Sequence, residues 1–316
     1  MAYNFALLGA GGYIAPRHMR AIRDTGNRLV AAGDPHDAVG VLDAYAFDVK
    51  FFTEIERFDR HLEKLKRGPA EGRVHWVSIC TPNYLHDAHV RLALRVEANA
   101  ICEKPLVISP WNLDQLQAIE AETGRRVFTV LQLRLHPSLT ALRERLLADR
   151  GQRHRVVLTY VTARGAWYRT SWKGDLDRAG GVAANIGIHF FDLLPWLFGS
   201  VKAHGVHLNA PTRMSGYLEL ERADVSWFLS VDVQDLPFDA VPGKISTYRS
   251  IEVDGQEVEF SGGFADLHTR VYERTLAGEG FGIEEARASV ELAYTLQNAP
   301  VTPLGDLAHP YLLKNR

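Results

Sequence analysis

Residues 4–15 read Asn-Phe-Ala-Leu-Leu-Gly-Ala-Gly-Gly-Tyr-Ile-Ala, and this stretch decides the fold. A short apolar strand over 5–8 runs into the turn Gly9-Ala10-Gly11-Gly12. Pro16 then opens a helix with Met19 and Ile22 on one face and Gly26 at its end. Glycines let a backbone approach a pyrophosphate, and a helix N-terminus offers it amide hydrogens and partial positive charge. The fingerprint fits in two registers. Gly9-x-Gly11-x-x-Ile14 ends on a bulky residue and Ala10-x-Gly12-x-x-Ala15 on a small one, and both leave Gly11 and Gly12 in the turn.

Outward from the turn, strand and helix alternate. A second strand over 29–32 stops at Gly33-Asp34-Pro35, and a strand over 74–80 ends in Cys80-Thr81-Pro82-Asn83 before a helix over 87–96. The strand over 100–102 ends in Glu103-Lys104-Pro105. Ser109 is expected to cap the next helix, with Pro110 at its first position and Gly124 past its end. A strand over 127–131 follows. These strands are unbroken apolar runs, the pattern of a parallel, doubly wound sheet covered on both faces. Ligands on such sheets bind beyond the carboxyl ends of the strands. Gly9, Gly11, Gly12, Asp34, Thr81, Pro82, Asn83, Glu103 and Lys104 all fall there. Asp34 follows the turn by about 20 residues, where an acid accepts both ribose hydroxyls of NAD and repels the extra phosphate of NADP. Pro35 and His36 come next, with no arginine to rescue NADP, so NAD is the expected cofactor.

The 316 residues are 46% hydrophobic and 23% charged, an ordinary globular composition with room for about two domains. The strand–helix alternation makes the first half α/β, and we place a Rossmann domain at 1–131 and a second domain at 132–316. Lys+Arg at 36 against Asp+Glu at 38 leaves a net charge of −2, without the basic excess that a general grip on nucleic acid or anionic lipid needs. No run approaches the ~20 uninterrupted apolar residues of a spanning helix. The first residues enter a strand directly, with no secretory leader pattern, so a cytoplasmic location is expected. Cys80 and Cys102 read as buried free thiols.

The second half carries a helix over 138–149, a strand over 156–162 and an aromatic, basic loop from Trp167 to Lys173. Gly180-Gly181 leads into a helix over 183–198. Alternating segments over 217–221, 225–233, 246–253 and 258–260 suggest a large, open, mostly antiparallel sheet of an α+β domain. Helices over 267–276 and 283–296 close the chain. Asn185, His189 and Asp192 recur on one helical face, and polar groups clustered on an apolar helix line a cleft. Arg164, Tyr168, Trp172 and Lys173 are candidates for holding an anionic substrate. His86 and His89 have the spacing of a helical metal pair but lack a third ligand, so no metal is expected.

The glycine turn, Glu103-Lys104-Pro105, Arg134-x-x-Pro137, and Gly180-Gly181 before Asn185-x-x-x-His189-x-x-Asp192 together resemble the glucose–fructose oxidoreductase/inositol dehydrogenase family over essentially the whole chain. Four further stretches are similar to a narrower group, the bacterial UDP-N-acetylglucosaminuronate 3-dehydrogenases of lipopolysaccharide O-antigen sugar synthesis. They are Gly-Tyr-Ile-Ala-Pro-Arg-His-Met-Arg-Ala-Ile at 12–22, Ser-Ile-Cys-Thr-Pro-Asn-Tyr-Leu-His at 78–86, Ser-Trp-Lys-Gly-Asp at 171–175 and Tyr-Arg-Ser-Ile at 248–251. Asn185 stands where the broad family usually has Asp, and the narrower group shares the Asn.

The resemblance implies a Rossmann domain that holds NAD through the glycine turn with Tyr13 and Ile14, Asp34, residues Cys80 to Asn83, His86, Glu103, Lys104, Gln132 and Arg134. It implies a cis Lys104–Pro105 peptide, a UDP-sugar acid as substrate, 2-oxoglutarate as a second substrate that reoxidises NADH, and a homotetramer. It also implies catalysis by Lys104 and His189. At pH 7 an ordinary lysine is neutral in only about one molecule in 2,500, whereas an ordinary histidine is mostly neutral. His189 is therefore the expected base, Lys104 the group that polarises the hydroxyl, and Asn185 the group that positions the sugar. Two other readings are weighed: a family oxidoreductase for a free sugar or inositol, and a non-catalytic NAD-binding regulator.

Overall fold

The structure, a computed structural model, describes residues 2–149, 151–239, 246–260 and 262–314. The chain divides into two units, Met1–Gln132 with Ala265–Ala288, and Leu133–Phe264 with Ser289–Arg316. A division by chain order at 131/132 does not contain the return of 265–288 to the first unit. Burial drives that return: the Leu267–Leu276 helix packs on the Ala15–Asp24 helix and buries Leu267, His268, Val271 and Tyr272.

The first unit holds strands β1 (Asn4–Leu8), β2 (Arg28–Gly33), β3 (Lys50–Phe52), β4 (Trp76–Ile79), β5 (Asn99–Cys102) and β6 (Val127–Thr129). All pairs are parallel and the order is β3-β2-β1-β4-β5-β6, a Rossmann sheet whose order reverses between β1 and β4. The register is level where it matters: Leu8 lies opposite Gly33 and Ile79, and Ile79 opposite Cys102. Gly9, Asp34, Cys80 and Glu103 therefore leave the sheet along one edge. Cys80 and Cys102 are both buried free thiols.

The second unit holds β7 (His154–Thr162), β8 (Val201–Ala210), β9 (Arg213–Leu220), β10 (Ala223–Ser230), β11 (Thr247–Val253) and β12 (Gln256–Glu257), in the order β12-β11-β7-β10-β9-β8. Only the β7–β10 pair is parallel among these described strands.

Several local expectations change. The helix after β5 is Trp111–Thr123, with Pro110 rather than Ser109 at the N-cap and no side-chain cap, while Gly124 ends it in the left-handed region as expected. The strand expected over 258–260 is instead β12, at Gln256–Glu257. Residues 183–198 are not one α-helix: Ala183–Gly187 is a π-turn that leads into the α-helix Ile188–Phe198. By length and composition, residues Leu176–Phe198 could cross a bilayer, but 72% of the segment's apolar 18-residue window is buried inside the protein.

Candidate functional site

At the edge of the first sheet, Gly9 adopts φ +88°. A Cβ there would lie 2.7 Å from the Cys80 carbonyl carbon and oxygen and 2.8 Å from the Thr81 nitrogen, all backbone atoms that cannot move aside. Only glycine fits this crossing of β1 and β4. Gly12 closes the turn by donating to the Gly9 carbonyl at 3.0 Å, and the helix starts when Ala15 donates to Gly12 at 3.1 Å. Tyr13, 86% exposed, and Ile14 lie between, at the helix N-terminus where amides remain to be offered.

The Asp34 carboxylate is aimed by two amides: Gly11 donates to Oδ2 and His36 to Oδ1, each at 2.9 Å. Each oxygen keeps lone-pair capacity for a ribose hydroxyl. A Cβ on Gly11 would press on this carboxylate at 3.3 Å. The cradle and the aimed acid fit NAD: the glycine turn would hold its diphosphate and Asp34 its adenosine ribose.

At the next strand end, His86 is fully buried and spans two carbonyls, Pro105 O at 2.7 Å from Nδ1 and Thr81 O at 2.8 Å from Nε2. His89 contacts the Thr81 hydroxyl at 2.9 Å, so neither histidine of the pair binds metal with the other. Burial lowers the pKa of both, and that of His89 falls to about 4. Their work is to tie the loop after β4 to the Lys104–Pro105 turn, whose peptide is cis as expected. Asn83 is buried beside them, Pro82 half-buried.

Glu103 is turned inward. Its Oε1 accepts from His18 Nε2 at 2.9 Å and from His268 Nε2 at 3.0 Å, while Oε2 accepts the Lys104 amide at 3.2 Å. Burial alone would raise this carboxyl, but the two histidine hydrogen bonds outweigh it and hold the group well below the usual carboxylate range. Burial also lowers His18, so its ring is neutral at pH 7. The proton positions follow. His18 Nε2–H donates to Glu103, so Nδ1 accepts from the Tyr272 hydroxyl at 2.8 Å, and Tyr272 accepts from Ser78 at 2.6 Å. The ligating atoms of His18, Glu103 and His268 lie within metal-binding distance of one another, but direct hydrogen bonds account for their spacing. This geometry favours a positioning role for Glu103, behind a half-buried Lys104, over direct ribose contact. Sequence reasoning missed His18, His268 and Tyr272. Only His18 carried a signal, inside the 12–22 stretch. Gln132, half-buried, ends this unit.

The second unit carries the other predicted residues. Arg134 grips Asp192 with two hydrogen bonds, at 3.0 and 2.5 Å. Burial raises the Asp192 carboxyl against the opposing pull of Arg134. Asp192 thus aims Arg134 rather than facing substrate. His189 and Asn185 are both half-buried. Asn185 donates to the Tyr168 hydroxyl at 2.9 Å, which joins the π-turn to the aromatic loop. Such π-turns frequently mark functional sites. Spaced by four, residues 185 and 189 stay on nearly one face in either helix geometry. Tyr168 is buried, and burial raises its hydroxyl pKa. Lys173 holds its ammonium 5.5 Å from both the Trp167 and Trp172 rings, an ordered cation between two indoles. Arg164 is exposed nearby in sequence.

Residues 3–131 match the model of an oxidoreductase family with an NAD-binding Rossmann fold, and 154–232 match that family's C-terminal α/β domain. The WlbA (WbpB) dehydrogenase of Thermus thermophilus, solved with NAD and α-ketoglutarate, is 52% identical, with a TM-score of 0.92 over 98% of this chain and 99% of that one. The same enzyme with NAD and UDP-GlcNAcA superposes at a TM-score of 0.91, again at 52% identity and over the same 98% and 99% of the two chains. Inositol 2-dehydrogenase of Rhizobium meliloti is 26% identical over 202 residues, 63% of this chain, and the match spans little more than half, 56%, of that protein.

Proposed function

The chain belongs to the Gfo/Idh/MocA oxidoreductase family, with its NAD-binding Rossmann fold, and on that premise we propose that it oxidises the 3-hydroxyl of UDP-N-acetylglucosaminuronic acid to the 3-keto sugar. The observation that supports this reading is 52% identity, along 98% of the chain, to a dehydrogenase solved with NAD and UDP-GlcNAcA.

The oxidation removes a hydride from C3 and a proton from its hydroxyl. NAD supplies the hydride acceptor when bound. His189 takes the hydroxyl proton, since an ordinary imidazole is ready to do so near pH 7. Lys104 polarises the hydroxyl; its amide is held by Glu103, which fixes the backbone from which the ammonium reaches. Asn185, fixed on Tyr168, orients the sugar, and Lys173 and Arg164 hold the substrate's negative charge. With 2-oxoglutarate as the second substrate, bound NADH would supply the hydride to C2 and His189 would return the proton to the ketone oxygen, giving 2-hydroxyglutarate. The protein works in the cytoplasm as a homotetramer, which light scattering checks.

The test is 2-hydroxyglutarate formation, followed by mass spectrometry on purified protein given 2-oxoglutarate with and without the UDP-sugar acid. Sugar-dependent product supports oxidation and recycling together. Its absence, with turnover of a free inositol in excess NAD, moves the activity to the broader family. A His189→Asn variant with full turnover sinks the base assignment.

A further inference from the structure

Arg249 stands in β11 opposite Tyr160 of β7. Its guanidinium carbon lies 4.4 Å from the ring centre of Phe264, 5.6 Å from that of Tyr160 and 5.8 Å from that of Phe260. The side chain is half-buried. Four other half-buried arginines of the second unit each donate to an oxygen: Arg134 to Asp192, Arg143 to the Trp196 carbonyl, Arg213 to Asp235, and Arg222 to the carbonyls of Leu146 and Leu197. Among the described residues, Arg249 meets rings and no carboxylate or carbonyl.

Aromatic faces attract the cation but accept none of its in-plane N–H donors. The rings therefore fix the guanidinium and leave its fork unused. Within the same unit, Tyr160 also packs on Phe190 at 5.1 Å, and Phe190 directly follows His189 in the chain. We propose that Arg249 is a carboxylate-binding residue, its planar fork meeting the two oxygens of a ligand carboxylate. One guanidinium balances one carboxylate, whereas a diphosphate would leave surplus negative charge against Phe260 and Phe264. The inference rests on the function proposed above, in which both the sugar acid and 2-oxoglutarate carry the group.

The experiment uses NAD-loaded protein and the variants Arg249→Met and Arg249→Lys. KM and kcat are measured for the UDP-sugar acid at saturating 2-oxoglutarate, and for 2-oxoglutarate at saturating sugar. Arg249→Met is expected to raise one KM, or both, by at least about tenfold with little change in kcat. Arg249→Lys, which keeps the charge over the rings but loses the fork, falls between. A rise for the sugar alone assigns its uronate, and a rise for 2-oxoglutarate alone assigns the co-substrate. Unchanged KM values in both folded variants overturn the inference and leave the dehydrogenase reading standing. If the wild type turns over neither compound, the function falls instead, and thermal shift with succinate and glucuronate decides the matter for Arg249. A shift in wild type that Arg249→Met lacks upholds the carboxylate site; equal shifts, or none, overturn it.

Discussion

Glu103 accepts a hydrogen bond from His18 at 2.9 Å deep in the first unit, one residue before the lysine assigned to the chemistry. The bond belongs to a directed chain, Ser78 to Tyr272 to His18 to Glu103, with His268 donating from the other side. Two of these five residues, His268 and Tyr272, come from the segment that returns to the Rossmann unit late in the sequence. The chain stitches that return to the strand ends and at the same time sets the backbone of Lys104.

Glu103→Gln should show both effects. The amide oxygen can still accept from the histidines, but its NH2 then faces the Lys104 N–H, donor against donor. The expected cost is about 1–3 kcal/mol of stability. Denaturant unfolding measures it, and kcat should fall with it. A variant as stable and as active as wild type would show that the network does not position Lys104.

Gly9→Ala tests the crossing of β1 and β4. The methyl meets backbone at 2.7 Å while the residue sits at φ +88°. Strain of this kind costs on the order of 1–3 kcal/mol before any clash. The melting temperature should fall by several degrees and NADH should bind more weakly, as read by fluorescence titration. Gly26→Ala is the control. It shares a positive φ but has nothing within 4 Å, so it should cost stability without touching cofactor affinity.

Asp34→Ser should weaken NAD binding by tenfold or more, about 1.4 kcal/mol or above. Both amide donors that aim the carboxylate lose their charged acceptor, and so do the ribose hydroxyls. The preference for NAD over NADP should narrow, because the repelling charge is gone. Titration with NADH and NADPH measures both changes. An unchanged ratio would remove Asp34 from the ribose.

What the sequence made legible follows the periodicity and the punctuation. Apolar runs ending in Gly9, Asp34, Cys80 and Glu103 placed four strand ends together because parallel pairing levels them. The π-turn at Ala183–Gly187 was invisible, since its composition is that of an α-helix. Ser109 read as a cap by residue type, yet the chain enters that helix through Pro110 without a side-chain bond. β3 and β8 carry no strand signal: Lys50-Phe51-Phe52 is too short to show a period, and Val201–Ala210 mixes Lys, His and Asn among its apolar residues. His268 and Tyr272 could not be joined to Glu103 by spacing. Their partnership is long-range, made only when a distant helix packs home.

His309 is 1% exposed, its Nδ1 accepts from the Tyr311 amide at 3.2 Å, and its Nε2 faces the Thr159 hydroxyl at 3.1 Å. Burial lowers its pKa from 6.5 to about 4. The folded protein therefore keeps this ring neutral while the unfolded chain protonates it near 6.5. Between those values the unfolded state binds more protons, so stability falls as pH falls. The contribution is whole above pH 6.5 and is lost progressively down to about pH 4, at most about 3 kcal/mol. His89, also lowered to about 4, and His18 and His86, lowered by burial, act in the same direction. His309→Gln cannot titrate. Its stability, measured by urea unfolding from pH 7.5 to 4.5, should start lower than wild type and fall less steeply, and the two curves should converge toward pH 4.5. Parallel curves would mean that His309 takes up its proton while the protein is still folded, and that the bond from Tyr311 does not hold Nδ1 as an acceptor.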